Sequence, residues 1–219
     1  RDKMNNIQQK VLDESICKTQ NLITTSLKFK EDFINYFQNY NEKNIVEVGC
    51  AYGYSTMILS TLFKNVFTIN DNFPNEQGDN TIFIENKISN KDYYDKIDVD
   101  IKSDTEHDFS NITYIRQDSY GERGWADIIQ NIDVSFVDCV HTYSAVESDI
   151  ENSLNLGVGT IVFDDYGLFP DVKKCVDDYI EYGVLKVEEY IGLEKGVYDF
   201  QNGQQREFLD YEGVICSVV

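Results

Sequence analysis

Apolar residues along this chain follow two kinds of spacing, and the two alternate. From 7 to 40 the spacing is helical, with Leu27, Phe33 and Phe37 on one stripe, which predicts two helices ahead of the first strand. Short β-branched runs follow at 45–48, 66–69, 112–115, 134–137 and 160–163, with helix-like segments between several of them. Such an alternation predicts an α/β fold, a mostly parallel central sheet with helices on both faces. The stretches 184–190 and 214–219, around a middle containing Gly and Gln, read as a closing pair of strands, expected as an antiparallel hairpin at one sheet edge. Between the second and third runs, residues 72–110 form a polar connection longer than an ordinary crossover. One helix and a loop are expected there, read as a solvated insertion in preference to a substrate lid.

A length of 219 residues suits one domain: N-terminal helices over 1–43, an α/β core over 44–183 and C-terminal strands over 184–219. With 42% hydrophobic residues the composition is globular, and no apolar run reaches the roughly 18 residues of a membrane span. The formal charge of −20 argues against a nucleic-acid partner, whose phosphates are bound by clustered Lys and Arg. Cys17, Cys50, Cys139, Cys175 and Cys216 are scattered without a C-x-x-C pair and read as reduced thiols, which with the lack of a charged-then-apolar leader gives a cytoplasmic setting as the expectation. The opening at Arg1 rather than Met is compatible with a piece cut from a longer polypeptide. Oligomeric state is not legible.

The chemistry begins at 44–63. There a buried strand ends in Glu47-Val48-Gly49-Cys50-Ala51-Tyr52-Gly53-Tyr54-Ser55-Thr56 and passes into an apolar helix. A strand, small-residue turn and helix of this kind bind cofactors at the strand's carboxyl end, and Gly49 and Gly53 permit close approach to the main chain. Gly49, Ala51, Gly53 and Ser55 are the candidate contacts, with Glu47 as a nearby carboxylate. The spacing G-x-x-x-G differs from the G-x-G-x-x-G of a nicotinamide site. A second constellation lies further on. Asp138 follows one strand run and Asp164-Asp165 the next, with His141 three residues beyond Asp138. Carboxylates meeting across one strand spacing repel. Either some are protonated and hydrogen-bonded, or a hard divalent cation such as Mg²⁺, Mn²⁺ or Ca²⁺ sits on Asp138, Asp164 and Asp165, and the cation is the preferred reading.

From Asn44 onward the chain resembles the class I S-adenosylmethionine-dependent methyltransferases, whose first motif places an acid two residues before the first glycine, as Glu47-Val48-Gly49 does. The resemblance implies a Rossmann-like fold with S-adenosyl-L-methionine as cofactor. It implies that Asp71, after the second run, holds the ribose, that Asp118-Ser119 lies near the adenine, and that Asp138 also touches the cofactor. Asp138-Cys139-Val140-His141-Thr142-Tyr143 is similar to the D-x-x-H-x-Y signature of metal-dependent O-methyltransferases that act on macrolide sugars and related small molecules; catechol-type relatives have lysine where His141 stands. A magnesium-assisted O-methyltransferase with a sugar, glycan or other small-molecule hydroxyl as acceptor is therefore expected. His141 would be its general base, since an imidazole titrates near neutrality. Methylation of another diol or phenol, and a non-catalytic cofactor-binding scaffold, are the alternatives. Tyr143 and Tyr166 are expected to pack rather than to bind.

Overall fold

The computed structural model describes residues 8–9, 12, 25–50, 54–70, 83–86, 109–116, 124–138, 140–199 and 205–219. Its centre is an eight-stranded sheet. The strands are β1 (Asn44–Val48), β2 (Asn65–Asn70), β3 (Phe83–Asn86), β4 (Ile112–Arg116), β5 (Val134–Val137), β6 (Thr160–Phe163), β7 (Leu185–Ile191) and β10 (Gly213–Val218), while β8 (Gly196–Asp199) and β9 (Gln205–Phe208) make a separate hairpin. The spatial order is β3-β4-β2-β1-β5-β6-β10-β7. β4, β2, β1, β5 and β6 run parallel, so the chain winds outward from β1 first to one side and then to the other. All five predicted runs are strands of this parallel core. The closing strands are antiparallel as expected, but β10 lies between β6 and β7, leaving β7 at the edge. The connection at 72–110 contributes an antiparallel edge strand, β3, beside β4; the rest of it up to Phe109, including the expected helix, lies outside the described residues.

Helices cover both faces. On one lie α1 (Leu27–Phe37) and α2 (Tyr54–Leu62), and on the other α3 (Tyr143–Asn155) and α4 (Pro170–Glu181). The α1 helix starts where the Ser26 hydroxyl accepts the Phe29 N–H at 3.0 Å, a capping arrangement that satisfies one of the free amides of the first turn. Phe29, Phe33 and Phe37 then recur every four residues and make one aromatic ridge. Phe33 packs 5.4 Å from Phe136 of β5, and Phe37 lies 5.4 Å from Phe63. Leu27, assigned to this stripe from spacing alone, is 40% exposed, because it stands two positions before Phe29 and so turns away from the sheet. Gln8, Gln9 and Leu12 are helical, in agreement with a helix ahead of α1.

Candidate active site

The parallel register brings several strand ends level. Val48 pairs with Val137, and Val137 with Phe163, so Gly49, Asp138 and Asp164 leave the sheet side by side. Backbone hydrogen bonds fix them there: the Gly49 amide donates to the Ile69 carbonyl at 2.8 Å, Asp138 to Val48 at 2.9 Å and Asp164 to Val137 at 3.1 Å. Strand order reverses at β1, so the carboxyl ends of β1 and β5 flank the crevice in which open α/β sheets place their ligands. Gly49 turns the chain there with φ of 90°, a value that side chains disfavour.

Glu47 is wholly buried on β1. Thr56 of α2 donates a hydroxyl hydrogen bond to its Oε2 at 2.6 Å, while Oε1 has no partner among the described residues. Burial pushes its carboxyl up to about 8, against the opposing pull of that hydrogen bond. Ser55, at the start of α2, lines a cleft with Thr25, Lys30 and Phe136. Ala51, Gly53, Asp71, Asp118 and Ser119, expected around the cofactor, lie outside the described residues.

The second constellation converges. Potential ligand atoms of Asp138, His141 and Asp165 all lie within 4.8 Å of one another. His141 Nε2 is 3.0 Å from Asp165 Oδ2 and 4.0 Å from Asp138 Oδ1. The closer contact lacks hydrogen-bond alignment, so Nε2 is buried without a hydrogen-bond partner among the described residues. Burial opposes a charge on the imidazole, but the Asp165 and Asp138 carboxylates outweigh it, and the histidine titrates above its ordinary range. Asp138 is raised by withdrawal from water and by its neighbour Asp165. Thr142, not His141, occupies the N-cap of α3, so the imidazole is free of any capping duty.

Asp165 is one of two non-glycine residues with positive φ among the described residues, at 57°. Its carbonyl accepts the amides of Leu168 and Phe169, each at 3.0 Å, closing a tight turn into α4. That turn delivers Phe169 onto His141, ring against ring at 4.3 Å and 4°. Sequence reasoning missed Phe169; its one signal was an aromatic residue immediately before Pro170, at a helix start where small polar caps are usual.

Asp164 departs from expectation. It does not join the cluster of possible ligand atoms but is buried, with Oδ1 unpartnered among the described residues and its carboxyl raised well above the ordinary range by burial and by Asp165, Asp138 and Glu212. Asp165, with φ of 57°, has left the extended backbone of β6, so the directions of the two carboxylates are set by the turn and not by strand alternation. Near Asp164 stand two buried charged groups not legible in the sequence. Lys30 of α1 donates to the Thr25 carbonyl at 2.5 Å, and burial lowers it to about 8 despite the charges of Glu212, Asp164 and Asp138. Glu212 accepts the Ser26 amide at 2.6 Å, the Ser26 hydroxyl and the Leu193 amide at 3.0 Å. Tyr143 and Tyr166 pack as expected, donating to Asp178 at 2.9 Å and Asp177 at 2.6 Å.

Two carboxylates and an imidazole around one point, with an orphaned nitrogen among them, fit a divalent cation and equally fit a base oriented by an acid.

Comparison with known proteins agrees with this architecture. A family model described as a methyltransferase domain matches residues 46–166, more than half of the chain. The Podospora anserina methyltransferase PaMTH1, solved bound to SAH, superposes with a TM-score of 0.58 at 11% identity over 99% of this chain and 89% of its own. An O-methyltransferase from Bacillus cereus, in complex with SAH, gives a TM-score of 0.57 at 13% identity over 100% and 92%. At such identities the likeness is one of fold. No curated protein matches the chain by sequence.

Proposed function

The chain belongs to the methyltransferase-domain family, and on that premise we propose that it transfers the methyl group of S-adenosyl-L-methionine to a hydroxyl of a sugar, with His141 as general base. The observation that carries this reading is the placement of His141 Nε2, 3.0 Å from Asp165 and stacked under Phe169, beside the crevice at the carboxyl ends of β1 and β5. Glu47, the Gly49 turn and Ser55 form the described part of the cofactor side.

Transfer requires the acceptor oxygen to attack the methyl carbon as the carbon–sulfur bond breaks, releasing a neutral thioether. A sugar hydroxyl is a weak nucleophile while it keeps its proton. The imidazole of His141 takes that proton, and Asp165, 3.0 Å from its Nε2, stabilises the imidazolium that results, as an acid behind a histidine does in other base catalysts. Phe169 holds the ring in plane. Asp138 and Asp165 would hold a divalent cation, Mg²⁺ or Mn²⁺, which when bound acidifies a hydroxyl and orients a vicinal diol. Asp164 lies buried beside Asp138 and Asp165, outside the cluster of possible ligand atoms.

A second reading of the same atoms makes His141 the third cation ligand, favoured by an Nε2 that has no hydrogen-bond partner among the described residues. The two separate cleanly. In His141→Ala, turnover of labelled cofactor on methyl glycosides should fall about 10²–10⁴-fold while Mn²⁺ affinity is kept; loss of Mn²⁺ binding selects the ligand role, and unchanged turnover removes both. Resistance of wild-type turnover to a chelator would sink the cation. A diol or phenol acceptor is the alternative within oxygen methylation. The acidic charge of −20 supports a neutral acceptor and a partner set without nucleic acid. Among the described residues no helix is long and apolar enough to cross a membrane. A cytoplasmic setting suits the buried free thiols Cys50, Cys175 and Cys216.

A further inference from the structure

A cavity of about 350 Å³ opens between α1 and the connections that join β7 to β10. Three tyrosines line it, Tyr190, Tyr198 and Tyr211, together with Lys28, Asp32 and Glu194. Tyr190 and Tyr211 stack at 5.0 Å and 20° and form a two-ring wall. Tyr190 is 41% exposed on the edge strand β7, an aromatic surface that packing leaves open. Tyr198, on the β8–β9 hairpin, is steadied by Phe208 at 5.9 Å in an edge-on contact. Asp32 is held in place from two sides, ion-paired with Lys28 and accepting the Gly192 amide at 3.0 Å.

The cavity adjoins the candidate active site. Leu209 donates its amide to the Gly167 carbonyl at 2.7 Å, and a Cβ on Gly167 would stand 2.4 Å from the Tyr211 carbonyl oxygen. Gly167 is two residues beyond Asp165, a reach of about 7 Å of extended chain at most. Glu212, next to Tyr211, is tied to the Ser26 cap of α1 and to Leu193. The wall of the cavity and the turn that holds Asp165 are thus one sewn unit.

We propose that this cavity is an acceptor subsite that seats a neutral pyranose ring against Tyr190, Tyr198 and Tyr211, so that the acceptor is a glycan or glycoside of more than one ring. The proposal rests on the carbohydrate reading of the acceptor given above. Its chemistry is matched on both counts. The C–H face of a pyranose is apolar and packs flat on an aromatic ring, while its rim of hydroxyls needs acceptors, which the Glu194 carboxylate and the remaining lone pair on Asp32 Oδ1 supply. The volume falls within the range of small-molecule sites lined by aromatics and a few polar groups. A nucleobase would also stack, but a nucleotide's phosphates would meet Asp32 and Glu194 with Lys28 already paired.

Saturation-transfer NMR on the full chain with S-adenosylhomocysteine present tests this, using methyl α-glucoside, methyl α-rhamnoside, maltotriose and cellotriose as probes and adenosine as the contrast. The expected result is transfer to sugar ring C–H protons that falls about fivefold or more in Tyr190→Ala and Tyr198→Ala, survives in Tyr190→Phe, and is accompanied by unchanged S-adenosylhomocysteine affinity as the check on folding. Absence of sugar signal across the panel, equal signal in the alanine variants, or a tyrosine-dependent signal from adenosine alone overturns the subsite. Sugar binding at the tyrosines without methyl transfer overturns the acceptor reading and leaves the cavity standing as a sugar-binding site alone. Methyl transfer to sugars at unchanged KM in the tyrosine variants does the reverse.

Discussion

Asp165 meets two demands with one residue. Its backbone must adopt φ of 57° to turn into α4, and its carboxylate must reach His141. Aspartate and asparagine tolerate that backbone region better than other side chains do. Asp165→Asn should therefore keep the thermal midpoint within a degree or two yet lose about 100-fold or more of turnover, because the amide cannot stabilise an imidazolium; a large drop in midpoint with turnover intact would contradict that division. Glu47 provides a pH signature. Its folded carboxyl is raised to about 8 from 4.5, so its contribution to stability is full below about pH 4.5 and is lost as pH rises towards 8. Denaturant unfolding of the ligand-free protein should show this decline, with a limiting slope of about 1.4 kcal/mol per pH unit. Glu47→Gln should flatten it, and an identical pH profile in that variant would show that another group titrates.

At the scale of elements, α1 joins core and site. Its Phe29, Phe33 and Phe37 ridge packs on β5, while Lys30 of the same helix faces the acids beneath the crevice. Phe33→Ala should cost about 3–5 kcal/mol, measured by denaturant unfolding, and a loss under 1 kcal/mol would mean that α1 docks without its ridge. The elements themselves were largely legible. Strands such as 134–137 and 160–163 announce themselves through short runs rich in β-branched and aromatic residues, because parallel strands are buried on both faces. Asp138, His141 and Asp165 were legible for a related reason, since a carboxylate at the end of such a run can only emerge at the crevice. Phe169's seat on His141 was not legible, because it depends on the φ of Asp165. Lys30 and Glu212 escaped notice because charged residues on amphipathic segments normally face water, and only tertiary packing buries these two. The place of β10 was equally hidden: an antiparallel strand reads the same whether it lies inside a sheet or at its edge.

For the molecule as a whole, the charge of −20 implies self-repulsion that bound cations relieve. A divalent ion at Asp138 and Asp165 should stabilise the fold by about 2.7 kcal/mol at a hundredfold excess over its Kd, a rise of roughly 5–10 °C in midpoint. Differential scanning with Mg²⁺ or Mn²⁺ measures it, and Asp138→Asn should remove most of the gain; an equal rise in that variant would assign the effect to general screening. The order β6-β10-β7 has a consequence for biosynthesis. On the ribosome, Phe163 is followed by roughly 50 residues before Gly213. At about 5–20 residues per second the apolar edge of β6 waits some seconds for the strand that covers it, and β7 has no neighbour until the same moment. Until β10 arrives, the nascent chain carries an open β-edge of the kind that pairs with other chains. Slow translation through the β7–β10 stretch should lengthen that exposure.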